Sequence, residues 1–498
     1  MATAVLRDSE VLSSRCIPLD DRQGWGFVLL MAVVATLFLR PADIVPSLDD
    51  WPVYQALIAC CLIVSYRAAL RPLAQWRLVE QPVTTCLILL FVSVGCSHLA
   101  NGFVWGARMS MFEVGKLLAL HLLITGLVTT PQRLSSFLKW LTIAITSIAM
   151  LALLDRYEYI SISALESIQD RGGLKDGHET MVERIRGTGI FQDPNDFGLI
   201  LVSGLIFCTS FILKPLAGWP RYLWLVQAGV LLGALSLTHS RGALLSLMCA
   251  VPAAMCYRRG GRLSGWLLIS LPLLSLVFSS RMTDVESIHD GTGQSRLQIW
   301  SDSIAVWRQY PVFGIGEGLL TEKISMVSHN SFLHCYAELG LFGGTAFLAS
   351  FLAAGLRLWA LRTPSAHRSS TFTMPAAVSM SAAVSMPAAV SMPAAVSMAG
   401  VASMAGVASL PAATRELKRQ QAFVFAALIA YSAGMLTISR QFVAPTYLIL
   451  AVATSAQLVS DDSASRWKFG NRFLLVTLIS SAASLLAFYL AVRIFVRW

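Results

Sequence analysis

LSSFLKWLTIAITSIAMLALL, residues 134–154, carries one charged side chain, Lys139, in a run long enough to cross a bilayer as a helix. About 20 apolar residues at ~1.5 Å each cover the ~30 Å of hydrocarbon. Runs of the same character lie on either side of it, near 24–39, 52–66, 82–100, 112–130, 195–214 and 221–238. Others follow near 241–257, 264–279, 334–360, 421–438, 442–459 and 473–496, each bounded by charge or proline. The spacing predicts an all-α polytopic transmembrane helical bundle of about 12 to 13 spans. The composition agrees. Of 498 residues, 55% are hydrophobic and 13% charged, with a mean hydropathy of +0.64, whereas soluble domains carry about 25% charged residues.

The formal net charge of +10 does not point to nucleic acid, because the Lys and Arg residues sit in short loops between apolar blocks, where they orient a membrane protein. Most of the nine cysteines lie inside apolar blocks (Cys60, Cys61, Cys86, Cys96, Cys208, Cys249, Cys256), and none form a CxxC pair. They read as small buried hydrophobes. The first apolar stretch follows Arg7, Arg15 and Arg22 with no small-residue cleavage site, so it is expected to be a retained first span.

With the N-terminus inside, one parity places every short basic loop in the cytoplasm: Arg67, Arg71 and Arg77; Arg258, Arg259 and Arg262; Arg357 and Arg362; Arg466, Lys468 and Arg472. Two long polar segments, about 155–194 and 280–333, then fall outside. Long loops that interrupt a compact bundle are usually functional or disordered. The expected organisation is N-terminal helices over 1–155, an outer loop over 156–194, a core over 195–361 that includes the 280–333 loop, a cytoplasmic insertion over 362–420, and C-terminal helices over 421–498. Between Met374 and Met404 the insertion repeats a six-residue unit, MPAAVS with variants. It is uncharged, and Pro375, Pro387 and Pro393 are spaced too closely for a stable helix. It reads as a tolerated insertion or a weak tether.

The outer face gathers the polar residues of interest: Arg186 and Asn195 around GTGIFQDPND, Arg241 in THSRGALL, Arg296 in SRLQIWSDS and His329 in SHNSFLHCYAELGLFG. Arginine at a membrane boundary is commonly a snorkelling anchor. For Arg241 the turn is very short and lies on the side poor in basic residues, which favours an anion-binding role, since the guanidinium fork matches phosphate oxygens. His329 stands just before an apolar helix. It is either a general base, neutral near pH 7 with an ordinary pKa near 6.5, or a helix-start residue beside a Ser328 or Asn330 cap. His334 falls on another helical face and reads as packing. The eight histidines are scattered, HExxH is absent, and Cys335 has no cysteine nearby. The loop carboxylates Asp193, Asp284, Glu286, Asp290 and Asp302 read as solvated. No metal or cofactor is implied, nor is there a GxxxxGK[ST] phosphate loop to drive transport.

These motifs resemble the O-antigen ligase and O-antigen polymerase family of bacterial membrane glycosyltransferases. The similarity rests on GTGIFQDPNDFG at 187–198, SRGALLSL at 240–247, RLQIWSDSIAVWRQYPVFGIGEG at 296–318 and SHNSFLHCYAELGLFGG at 328–344. It implies a GT-C-like bundle with long extracytoplasmic loops in the bacterial inner (cytoplasmic) membrane, its active site facing the periplasm. It further implies a metal-independent transfer of glycan from an undecaprenyl-diphosphate carrier to an acceptor glycan, lipid or protein. Within the family's pattern His329 falls on the candidate base, Arg241 and Arg296 fall on the diphosphate-holding arginines, and Arg186 matches less closely. The hexapeptide insertion and a thirteenth span, which would put the C-terminus outside, depart from the family's layout.

Chemically, a carrier diphosphate is already a good leaving group. The enzyme must stabilise charge on the bridging oxygen and remove a proton from the acceptor hydroxyl, and two arginines and a histidine supply both. Ligase, polymerase and protein O-oligosaccharyltransferase differ only in the acceptor. A transporter of lipid-linked glycan would place ionisable groups near the midplane on broken helices, and a scaffold would not need them gathered at one face. The enzyme reading is favoured.

Overall fold

In a bilayer every backbone polar group must be satisfied within the protein, so apolar runs of this length fold as helices. The computed structural model describes residues 21–48, 51–74, 77–175, 178–214, 218–259, 292–362, 412–460 and 467–495. The N-terminal helices are α1 (Asp21–Leu39), α2 (Val53–Ala74), α3 (Pro82–Ala100), α4 (Val104–Leu127) and α5 (Pro131–Arg156). After a two-stranded hairpin, β1 (Ile168–Lys175) and β2 (His178–Arg184), come α6 (Pro194–Ile212), α7 (Pro220–Leu237) and α8 (Arg241–Arg259). The remainder comprises α9 (Thr292–Gln309), a short helix Leu320–Ile324, α10 (Ser331–Ala360), α11 (Ala412–Gly434), α12 (Ala444–Leu458) and α13 (Asn471–Phe495). Seven of the described helices are long and apolar enough to cross a membrane: α2 to α6, α10 and α13. The chain is a polytopic helical membrane protein.

Every expected span that falls on described residues is helical; the one near 264–279 lies outside them, as do the hexapeptide repeat and Asp284, Glu286 and Asp290. The boundaries differ where charge is locally satisfied. Helix α4 begins at Val104, not near 112, because Arg108 lies over the Trp105 ring, 5.1 Å from its centroid, and Lys116 pairs with Glu113 at 2.6 Å. Helix α11 begins at Ala412, through the charged run TRELKRQQ, where Glu416 meets Lys214 at 3.0 Å.

Burial ranks the helices by position. Of α6's apolar window, 83% is buried, against 22% for α2 and 17% for α13, so α6 is central while α2 and α13 turn much of their apolar surface outward. Close approach at the start of α8 depends on glycine. A Cβ on Gly242 of α8 would sit 2.3 Å from Thr437 Oγ1.

The described parts of the two long polar segments carry regular structure. The hairpin pairs Ile168 with Arg184 in antiparallel register, with an irregularity between Arg171 and Gly173. Helix α9 is amphipathic: Leu297, Trp300 and Ile304, spaced three and four apart, pack on Leu333, Phe488 and Val492. It thereby binds this segment to α10 and α13.

Candidate active site

The motif GTGIFQDPND builds the start of α6. Thr188 donates its hydroxyl to Phe38 O at 2.8 Å, and Gly189 N–H donates to Asp43 Oδ2 at 2.6 Å, which pins this loop to the end of α1. Asp193 caps α6 by accepting from Asn195 N–H at 2.7 Å, with Pro194 in the first helical turn, where its missing N–H costs nothing. Asn195 Oδ1 then accepts from Arg184 Nη2 at 2.8 Å and from Ser240 Oγ at 2.9 Å. Arg184 also donates to Thr238 O and to Asp170 Oδ2, both at 2.8 Å. The hairpin end, the start of α6 and the turn before α8 are thus tied together, and Arg241 stands exposed at the first position of α8.

His329 occupies the turn before α10. Asn330 is the cap: its side chain accepts from Phe332 and Leu333 N–H, both at 3.1 Å. Ser328 is fully buried and held from α9, with its carbonyl accepting from Trp300 Nε1 at 2.9 Å and its hydroxyl 3.0 Å from that of Ser303. Between these two anchors His329 adopts φ +50°, the left-handed region that a side chain seldom enters. Such a conformation persists only where the surroundings impose it, and it clusters at functional sites.

The next turn joins the same place. Ser331 Oγ donates to Ile438 O at 2.6 Å and accepts from Arg440 N–H at 2.9 Å, while the Arg440 guanidinium is ion-paired with Asp196 of α6. The N-termini of α6, α8, α10 and α12 therefore meet at one end of the bundle. Positive helix ends favour an anion there.

The electrostatics follow from this crowding. Burial pushes Arg296 below its ordinary range, and the Arg241 charge adds to the effect, with Asp193 opposing it and Arg184 reinforcing it. Burial likewise lowers His329 below its ordinary value; Arg296, Arg440 and His334 act in the same direction and Asp193 against them. His329 is thus biased toward neutral imidazole. For Arg440, burial works against the charge, and the hydrogen bond and charge of Asp196 outweigh it and raise its pKa.

Residues 226–348 match the O-antigen ligase family. The match spans Arg241, Arg296 and His329, so the resemblance read from the motifs holds over that stretch. A comparison with curated proteins gave no match. The O-antigen ligase match points to an O-antigen ligase or related membrane glycosyltransferase, and GTGIFQDPND and Arg440 lie outside the matched stretch.

Within this candidate site, Arg241 lies close enough to act on the charge of Arg296, and Arg296 close enough to act on that of His329. Asn195 turns its carbonyl toward Arg184 and Ser240, an orienting position. Arg186 is half-buried, its Nε without a hydrogen-bond partner. Sequence reasoning missed Arg184, two residues before Arg186 in ERIR, and Arg440 in the turn ISRQF between α11 and α12. His334 is buried in α10, as expected of a packing residue, but is also bonded: Nδ1 lies 3.1 Å from Ser439 Oγ and Nε2 lies 3.0 Å from Glu338 Oε1. Among the described residues no three His, Cys, Asp or Glu side chains gather as a metal site.

Proposed function

We propose that the protein transfers a glycan from an undecaprenyl-diphosphate carrier to an acceptor hydroxyl at the periplasmic face of the bacterial inner membrane. His329 takes the proton of the acceptor hydroxyl as that oxygen attacks the anomeric carbon. The bond from that carbon to the phosphate oxygen breaks, and the carrier leaves as a diphosphate anion held by Arg241 and Arg296. The observation that carries this reading is the sharing of one end of the bundle by a histidine biased toward its neutral form, two mutually repelling arginines and four helix N-termini.

Each part has a physical role. The neutral imidazole is the form that accepts a proton. The guanidinium groups meet the charge that develops on the bridging oxygen, and they act most strongly where water is scarce. The test is transfer by the purified protein, given carrier-linked glycan together with separate lipid, carrier-linked and protein acceptors. Glycan appearing on one acceptor class supports the reading and names the acceptor. An intact donor after exposure to all three would refute it.

A further inference from the structure

Opposite the candidate site, the ends of α6, α8 and α10 meet the start of α11. Lys214, just past α6, reaches Glu416 of α11 at 3.0 Å, and the Lys418 ammonium donates to Leu361 O at the end of α10. Arg362 Nη1 donates to Cys256 O of α8 at 3.4 Å, and the Tyr257 and Phe425 rings lie 5.4 Å apart. The proposed transfer chemistry uses none of these residues.

Charge at this end is unbalanced. Arg415, Lys418 and Arg419 occupy the first two turns of α11, the helix end that favours negative charge. Glu416 is the one carboxylate on those turns, and Lys214 shares it. Arg419, its side chain only 11% exposed, approaches Glu416 no closer than 3.8 Å. Among the described residues its Nε and Nη2 make no hydrogen bond, and neither do the buried Nε2 of Gln420 and hydroxyl of Tyr257. Buried donors left without acceptors are costly. Burial holds Arg419 below its ordinary range; Glu416 opposes the lowering and Arg258 adds to it. The connections that leave α6, α8 and α10 at this end, residues 213–219, 260–283 and 363–411, contain no Asp or Glu. They bring no carboxylate to these cations, so an anion from outside the chain is what would answer them.

The surroundings favour a lipid phosphate over a soluble one. Phe425 bridges Tyr257 and Trp359, whose ring lies 5.7 Å from it, and the Arg362 guanidinium stands 4.2 Å from the Trp359 centroid. Trp and Tyr of this kind sit at headgroup level, and basic sites between membrane helices take the phosphates of anionic lipids. We propose that the ends of α8 and α10 and the start of α11 bind the phosphate of an anionic glycerophospholipid headgroup, with Arg258, Arg362 and Arg419 as its cations. This site is separate from the proposed transfer and does not depend on it.

The test is native mass spectrometry of the full-length protein released from nanodiscs that hold phosphatidylcholine and phosphatidylglycerol in equal parts. The wild type should retain phosphatidylglycerol at least about tenfold over phosphatidylcholine, the worth of a charged hydrogen bond. Arg419→Gln should remove roughly that whole preference. Arg258→Gln, at an exposed position whose loss leaves the fold intact, should weaken it too, and it decides the matter if Arg419→Gln does not fold. Arg71→Gln, at an exposed position of α2 outside this cluster, should change it by no more than about fivefold, the effect of one surface charge near anionic lipid. Equal retention of the two lipids by the wild type, an unchanged preference in Arg258→Gln, or a loss in Arg71→Gln as large as in Arg419→Gln overturns the site. Displacement of phosphatidylglycerol by excess inorganic phosphate would assign these cations to a soluble anion and overturn the lipid reading.

Discussion

Replacing His329 by alanine and by glycine separates its chemistry from its backbone. The anchors on either side, Ser328 held by Trp300 and Ser303 and the Asn330 cap, do not use the His329 side chain, so both variants keep the turn. At φ +50° a Cβ costs about 1–2 kcal/mol that glycine does not incur. Glycine gives back part of this through its larger unfolded-state entropy, about 0.5–1 kcal/mol. His329→Gly should therefore be as stable as His329→Ala or up to about 1.5 kcal/mol more so. Both should lose roughly two to four orders of magnitude in turnover, the usual worth of a general base, equivalent to about 3–5 kcal/mol of barrier. Thermal unfolding in detergent would measure the first quantity and single-turnover transfer from carrier-linked glycan the second. Near-normal turnover in either variant would refute the assignment of the base, and a glycine variant clearly less stable than the alanine one would refute the account of the turn.

Arg241→Lys and Arg296→Lys keep the charge but lose the fork, and transfer should fall roughly 10- to 100-fold, the equivalent of one charged hydrogen bond; wild-type rates in both would dismiss the diphosphate clamp. Asp193→Asn keeps the cap of α6 but removes the carboxylate that opposes the lowering of His329; the His329 pKa should fall, and because the neutral form is the base, the acidic limb of the pH–rate profile should move to lower pH. A limb that moves upward would contradict the sign. Deleting residues 375–409 should leave transfer largely intact, since an uncharged, proline-punctuated segment has little means of packing on the bundle, and loss of activity at normal expression would show otherwise. A cysteine placed at position 290 should react with an impermeant reagent in periplasm-accessible cells, and labelling only after the inner membrane is breached would reverse the proposed orientation.

Much of this arrangement is legible before any coordinates because span length and loop charge are local properties of the chain. The apolar blocks at 82–100 and 134–154 appear as α3 and α5 with small changes at their ends. Arg241 and Arg296 lie 55 positions apart, yet their convergence follows once both are placed at the same end of a bundle. What local reading could not supply is which polar residues are held as partners. Arg184 and Arg186 are equivalent as sequence, one position of alternation apart, and only the fold shows Arg184 fixed by Asp170, Asn195 and Thr238. Arg440 reads as an ordinary boundary arginine until Asp196, 244 residues away, is found against it. The helix over 292–309 was read as part of a polar loop because its apolar stripe, Leu297, Trp300 and Ile304, is narrow. A stripe of that width signals packing on neighbours, not membrane spanning.

The pairing pattern also explains why the site would take an anion and hold it near the base. Arg184 and Arg440 each have a carboxylate in contact, Asp170 and Asp196 respectively, so their charges are largely answered within the protein. Burial lowers the proton affinity of Arg296, and the Arg241 charge adds to that lowering while the Asp193 charge opposes it. Like charges brought together are a cost that the folded protein bears in the absence of ligand, and four helix N-termini add to the same positive potential. A diphosphate offsets all of these contributions at once. Burial and then the Arg296 charge bias His329 toward its neutral form, so in the proposed reaction the groups that would hold the leaving anion would also prepare the base. Bound diphosphate would in turn favour the imidazolium formed as the acceptor proton arrives, because an anion beside a cation stabilises it. On the proposed mechanism, the donor's charge and the base's proton would be coupled through Arg296, whose charge reaches His329.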